Sequence, residues 1–142
     1  MDEYKAMANE LGIGDKCHFL GFFPYDKGSE FMKQIHFYVN SSKHESFGIA
    51  LTESFASGLP VVSYDNGGPS DFVNESNGIL VENQNEEKLF EAIQWMMQNY
   101  RTFDREKIRA GVIQRFSERA FIDRMNLIYE EVSNRALRSN AG

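Results

Sequence analysis

Cysteine, surplus basic charge and long apolar runs are all scarce in this 142-residue chain. The lone cysteine, Cys17, excludes an internal disulfide and a multi-thiolate metal site. It stands in a short apolar run and is expected as a small buried side chain. The 15 basic side chains are outnumbered by 21 acidic ones, a net charge of −6. That argues against duplex nucleic acid, whose counterions must be displaced by a basic face. It does not exclude a small phosphorylated ligand, which needs only a few local donors. No stretch approaches the ~18–20 apolar residues of a spanning helix. The first residues, MDEYKAMANEL, are acidic and amphipathic, unlike a signal peptide. Two sequons, at Asn40 and Asn74, therefore carry no weight, and the cytoplasm is the expected compartment. No internal repeat or low-complexity segment is visible.

What the chain does have is a 42% apolar share, enough for the core of one domain. Short apolar runs alternate with helical periodicity. Strands are predicted at 17–21 (CHFLG), 36–42 (HFYVNSS), 60–65 (PVVSYD) and 78–83 (GILVEN). Helices are predicted at 31–35, 49–57, 67–74, 85–100 and 121–132. Gly58 suits the residue just past the second helix, with Pro60 beyond it. Pro69 suits the first position of the short third helix. The 85–100 helix has apolar residues at 89, 90, 93, 96 and 97, and the 121–132 helix at 121, 125, 128 and 132. The C-terminal RALRSNAG is expected to fray. Strand–helix alternation of this kind implies an α/β fold with a parallel, Rossmann-like sheet. Ligands of such sheets sit at the carboxyl ends of the strands. Here those ends lead into the loops 21–30, 41–48, 65–70 and 82–85.

Two of these loops lie in the stretch HESFGIALTESFASGLPVVSYDNGGPSDF, residues 44–72. Gly48 stands at the start of the predicted 49–57 helix, whose first N–H groups lack internal partners and form the positive end of the helix dipole. A glycine there lets a phosphate approach the backbone. Glu45 precedes it and, as an anion, suits neutral hydroxyls or developing positive charge better than phosphate. Glu53 lies about 7–8 Å further along the axis, and a carboxylate can accept two hydrogen bonds from a vicinal diol. A ligand with hydroxyls at both ends and phosphates between, a sugar nucleotide, fits that spacing. The plainer alternative is an exposed helix acid and a loop acid favouring a helix N-terminus. Glu53 shares a face with Ile49 and Ala56 next to the apolar Leu51 and Phe55, so it is expected to be partly buried and in need of partners. Lys43 and His44 read as solvated, His18 and His36 as structural, and Asn66 as a turn residue.

The wording E-x-F-G-x-x-x-x-E at 45–53, then A-x-G-x-P-V-V, a glycine-rich loop and N-G-x-L-V at 77–81 resembles the retaining glycosyltransferases of family 4, of GT-B fold. The 17–42 segment resembles that family's base-binding strand and loop and its next strand, and FSERAFIDRMNLIYEEV resembles its C-terminal helices. The likeness covers about residues 4–132. It implies a nucleotide-sugar donor site in which Glu45, the candidate catalytic residue, contacts the donor sugar near its reacting carbon. It also implies that Ser46, Phe47, Gly48 and Ile49 offer backbone groups to sugar and diphosphate, with Gly67 and Gly68 in the adjoining loop. Glu53 would hold the ribose diol, and Gly21 and Phe22 would lie near the base. The loop position that is often glutamate in the family is Asp71 here. The Gly-Pro-Ser-Asp wording leans towards UDP-sugars and surface-polysaccharide or glycolipid assembly. No D-x-D metal motif occurs, and neither metal nor cofactor is implied.

The same resemblance implies a partial donor domain over 1–142. The family's basic diphosphate ligands and its acceptor-binding domain would lie outside this sequence, and the isolated chain would be inactive. In the full-length protein a location peripheral to the membrane is compatible with that role. A non-catalytic nucleotide-sugar module and a sugar-nucleotide epimerase are the alternatives on this architecture. If the sheet order is 3-2-1-4-5-6, strand 36–40 has an open edge. Either strand 17–21 moves across to pair with it or a second chain does, so self-association is an expectation.

Overall fold

The computed structural model describes residues 1–22 and 24–139. The chain forms two units, Met1–Phe31 and the remainder from Met32 onward. In the first, helix α1 (Asp2–Glu10) is followed by a 3-10 turn, Gly14–Lys16. Only Ala8 of α1 is buried. The predicted strand 17–21 does not form: residues 17–20 are irregular, and Phe19 and Leu20 are 37% and 52% exposed. A strand needs a ladder to satisfy its backbone N–H and C=O groups, and among the described residues none pairs with this run. The expected move of 17–21 onto 36–40 is thereby overturned. Cys17 is half-buried rather than buried. The helix predicted at 31–35 is the end of an earlier one, α2 (Tyr25–Met32). Pro24 stands just before α2, and its carbonyl accepts from Lys27 N–H at 3.0 Å.

The second unit is built on a parallel three-stranded sheet, β1 (Tyr38–Asn40), β2 (Val61–Asp65) and β3 (Gly78–Glu82), in that spatial order. Tyr38 to Asn40 pair with Val61 to Ser63, and all five β2 residues pair with Gly78 to Glu82. β1 is shorter than the predicted 36–42 because Asn40 Oδ1 accepts from Ser42 N–H at 3.2 Å and turns the chain out of the ladder. Strand side chains alternate between faces, and β2 is buried on both. Val61 joins Leu51, Phe55, Phe72, Val73, Ile108 and Val112 on one side. Val62 and Tyr64 join Val81, Ala92 and Met96 on the other.

The helices follow from their caps and apolar faces. α3 (Ile49–Ala56) ends in a Schellman arrangement, Leu59 N–H to Ser54 O at 2.9 Å, with Gly58 where the sequence places it. The predicted 67–74 helix is a single 3-10 turn, Gly68–Asp71, with Pro69 in its first turn. α4 (Glu86–Asn99) is capped by Asn85, whose side chain accepts from Lys88 N–H. Its buried face runs through Leu89, Ala92, Ile93 and Met96. Phe90 and Met97, predicted to face inward, are 60% and 63% exposed. Packing on Val62, Tyr64 and Val81 selects that face, about 50° away from the one the apolar count favours. α5 (Arg105–Phe116), absent from the sequence reading, is capped by Asp104, which accepts from Glu106 and Lys107 N–H. α6 spans Glu118–Ser139, beyond the predicted 121–132 and through most of the tail expected to fray. Its Phe121, Ile128 and Val132 are exposed. Among the described residues no helix is long and apolar enough to cross a membrane.

Candidate functional site

All three strands run the same way, so their carboxyl ends deliver the segments after Asn40, Asp65 and Glu82 to one rim of the second unit. The 41–48 loop is fastened there. Glu45 N–H donates to Asn66 O at 3.3 Å, and Gly68 N–H donates to Glu45 O at 2.8 Å, an isolated parallel bridge between Glu45 and Gly67. The Asn66 amide donates to Ser42 O, and the Asn83 amide donates to Lys43 O at 3.1 Å. These two asparagines, one beyond each strand, staple the loop. Each also leaves a buried Oδ1 without a partner, an acceptor held open at the rim. The sequence reading took Asn66 for a turn residue and passed over Asn83; polar residues directly after buried strands were the available signal.

Glycines bring the loops together. Gly48 is the N-cap of α3 and has φ +89°, a left-handed conformation that favours glycine. A Cβ on Gly68 would lie 2.6 Å from Phe47 Cα, and one on Gly67 2.7 Å from Glu45 O. The glycine-rich loop therefore packs backbone to backbone on residues 45–47. The Gly68 N–H is already engaged with Glu45 O.

Glu45 turns its carboxylate back onto the helix start, Oε1 accepting from Gly48 N–H at 3.1 Å. Thr52 N–H makes the first intrahelical bond, to Gly48 O at 3.0 Å, so the N–H groups of Ile49, Ala50 and Leu51 have no acceptor within the helix. Ser46 and Ile49 are exposed at this end. The Phe47 ring has aromatic neighbours. It packs against Phe72 at 5.9 Å and Phe116 at 5.4 Å and is still 45% exposed. The Asp71 side chain is exposed, and its backbone carbonyl accepts from Arg115 Nη1.

Glu53 is half-buried, as expected, but for another reason than the one read from the sequence. Ile49 and Ala56, its face partners, are exposed, and burial comes from Leu51, Ser54 and Phe55 beside it. Its carboxylate makes no hydrogen bond to another described residue. One group senses both glutamates: the Tyr38 phenol is raised above its ordinary value, first by burial and then by the negative charges of Glu45 and Glu53. Tyr38, which the sequence reading did not single out, thus sits within electrostatic reach of two carboxylates eight positions apart. Both are poised as acceptors, one at the helix start and one a turn along, with unpaired N–H groups between them.

Gly21 and Phe22 belong to the first unit, Gly21 with φ +67° and Phe22 92% exposed. Lys43, His44 and His18 are exposed, and His36 meets Tyr100 edge to face at 4.9 Å.

The family model described as "Glycosyl transferases group 1" matches residues 1–115. The lipopolysaccharide core biosynthesis glycosyltransferase LpsE of Rhizobium meliloti is 30% identical over 125 residues, 86% of this chain and 36% of that protein. Sucrose-phosphate synthase from Thermosynechococcus elongatus superposes with a TM-score of 0.80 at 24% identity, over 94% of this chain and 34% of that one. Anabaena HepE in complex with UDP superposes with a TM-score of 0.76 at 23% identity, over 94% and 36%; its structure with UDP-glucose gives 0.75. These likenesses show the Rossmann-like fold of GT-B enzymes. The chain spans about a third of the length of these relatives.

Proposed function

Because the chain belongs to the glycosyl transferases group 1 family, we propose that it is the donor-binding part of a hexosyltransferase that takes a nucleotide-diphospho-sugar, a UDP-sugar by preference, and transfers the sugar with retention. The observation that carries this reading is the pair of carboxylates flanking the start of α3, both acting on the Tyr38 phenol. Glu53 accepts from the ribose diol. Ser46, Phe47, Gly48 and Ile49 present backbone groups to the sugar and diphosphate. Gly67 and Gly68 hold that segment in place, and Gly21 and Phe22 lie by the base. Glu45, whose second carboxylate oxygen stays available, is the catalytic residue. It stabilises the positive charge that develops at the reacting carbon, by analogy with sugar hydrolysis.

LpsE is a lipopolysaccharide core enzyme by name and HepE was solved with UDP and UDP-glucose, which supports UDP as the carrier and cell-surface polysaccharide or glycolipid assembly as the setting. The acceptor is held by a further domain, and the enzyme works in the cytoplasm, peripherally at the membrane. The open edge of β1 makes self-association of the isolated chain a further part of this reading.

Calorimetry tests the donor assignment. UDP should bind the chain more tightly than 2′,3′-dideoxy-UDP. Glu53→Ala should weaken UDP by about 1.5–3 kcal/mol, the scale of a lost charge-assisted hydrogen bond, and leave the dideoxy compound unaffected. Equal affinity of the unmodified chain for both nucleotides removes Glu53 from the ribose.

A further inference from the structure

A cavity of about 230 Å³ opens among α3, the 72–77 turn and α5. Its floor is apolar: Phe55 and Ile108 are 2% and 5% exposed, and Phe72 and Phe116 meet edge to face at 5.8 Å. Its mouth is cationic, lined by Lys107 and Arg115 with Gly111 between them. These three follow one another at intervals of four on α5 and so share one helix face. Glycine inside a helix is unfavourable relative to alanine. Yet a Cβ on Gly111 would meet nothing within 4 Å, and its backbone is not left-handed. Neither packing nor conformation requires glycine there. The missing side chain leaves a notch between two cations, leading to the phenylalanine floor.

Arg115 is placed to receive an anion, whereas Lys107 stands eight positions away on α5, about 12 Å along its axis, and adds positive charge at the far side of the mouth. Arg115 Nη1 donates to Asp71 O at 2.8 Å, and the guanidinium lies over the Phe116 ring at 5.1 Å. One donor orients the fork and the others are left for a second acceptor. Lys107 Nζ is 3.5 Å from Asp104 Oδ2, an exposed pair that a second anion can share. The opposite wall is held by Asn77, which donates to Phe72 O at 2.9 Å. The cavity lies at the turn that leads into the start of β3, whereas the rim follows the strand ends; the two share a wall, because Phe72 and Phe116 also pack on Phe47.

We propose that this cavity binds a small aromatic anion, its ring on Phe55, Phe72 and Phe116 and its charged group on the Arg115 guanidinium. Its volume falls below the roughly 300–1,000 Å³ of sites for drug-sized ligands, so it takes a single ring. The proposal goes beyond the donor reading and does not depend on it. Amide NMR of the 142-residue chain tests it, with phenyl phosphate as the probe and inorganic phosphate and benzyl alcohol as its two halves. Phenyl phosphate should shift the amides of Lys107, Gly111 and Arg115 and bind about tenfold or more tighter than either half. Excess UDP should leave those shifts in place. Arg115→Gln should weaken binding by about tenfold, Lys107→Gln should weaken it less, both being at exposed positions, and Gly111→Leu should abolish it. If the leucine variant fails to fold, the two glutamine variants carry the test. The proposal is overturned if phenyl phosphate binds no better than benzyl alcohol, if the glutamine variants bind as the unmodified chain does, or if UDP displaces the probe from α5.

Discussion

Two short runs, CHFLG at 17–21 and PVVSYD at 60–65, read alike in the sequence: apolar, brief and bounded by turn residues. In the structure they part completely. Val61 to Tyr64 are all buried, and β2 is laddered on both sides. Residues 17–20 make no ladder, and Leu20 is half exposed. The difference teaches that an apolar run becomes a strand through its neighbours. β2 is flanked by two parallel partners and covered on both faces, so every backbone group and side chain is satisfied locally. The 17–21 run has the composition of a strand without the hydrogen-bonding partners.

The contrast can be broken most forcefully at Gly78, where β3 enters the ladder. A Cβ there would lie 2.5 Å from Val61 O and 2.8 Å from Val61 Cγ2. Backbone cannot yield as a flexible side chain does, so Gly78→Ala should cost about 3 kcal/mol, at the upper end of overpacking effects. Urea melts would register it. A loss under ~0.5 kcal/mol, the range of ordinary surface changes, would mean the β2–β3 ladder is not what holds this unit.

A smaller effect is expected at alkaline pH. Folding raises the Tyr38 phenol above its ordinary value of 10.0, with burial the largest cause. The folded state therefore favours the neutral form. This contribution is fully present below the unfolded pKa and is lost as the pH rises through the folded one. Stability should fall as the pH rises through and above about 10, and Tyr38→Phe should flatten that fall. Glu53→Gln should move the Tyr38 titration downward by removing one of the two negative charges that raise it. Stability melts and phenolate absorbance check both. A slope unchanged by Tyr38→Phe would leave the two glutamates without a shared neighbour.

The smallest change belongs to the unladdered run. Leu20→Ser should alter stability by less than ~0.5 kcal/mol. Its amides and those of residues 17–19 should exchange fast, while the amides of 61–65 exchange near the global limit. Slow exchange at 17–20 would show a ladder there in solution and erase the contrast on which this comparison rests.

Much of the second unit was legible. Turn residues and β-branched clusters located three of the four predicted strands, and Gly58 and Pro69 stand where capping chemistry places them. α5 escaped because its buried side consists of little more than Ile108 and Val112. The Asp104 cap was the one strong local signal for it. On α4 the apolar count pointed to Phe90 and Met97, but the sheet chose the neighbouring stripe. For the candidate site, the E-x-F-G-x-x-x-x-E wording supplied Glu45, Gly48 and Glu53. It could not show that Gly67 and Gly68 are needed for backbone contact with residues 45–47.

The sequence by itself determined the local choices: which runs are apolar, where α3 and α4 start and stop, which fold class the alternation demands and which glutamates accompany Gly48. Those depend on neighbours a few positions away. Only the tertiary structure decided which apolar run received ladder partners, which face of α4 met the sheet, and that Asn66, Asn83 and Tyr38 belong with the glutamates. It also decided that Lys107 and Arg115 flank a notch above three phenylalanines. Each of these is set by contacts between residues tens of positions apart, where hydrogen-bond satisfaction and close packing select among options that the chain leaves open locally.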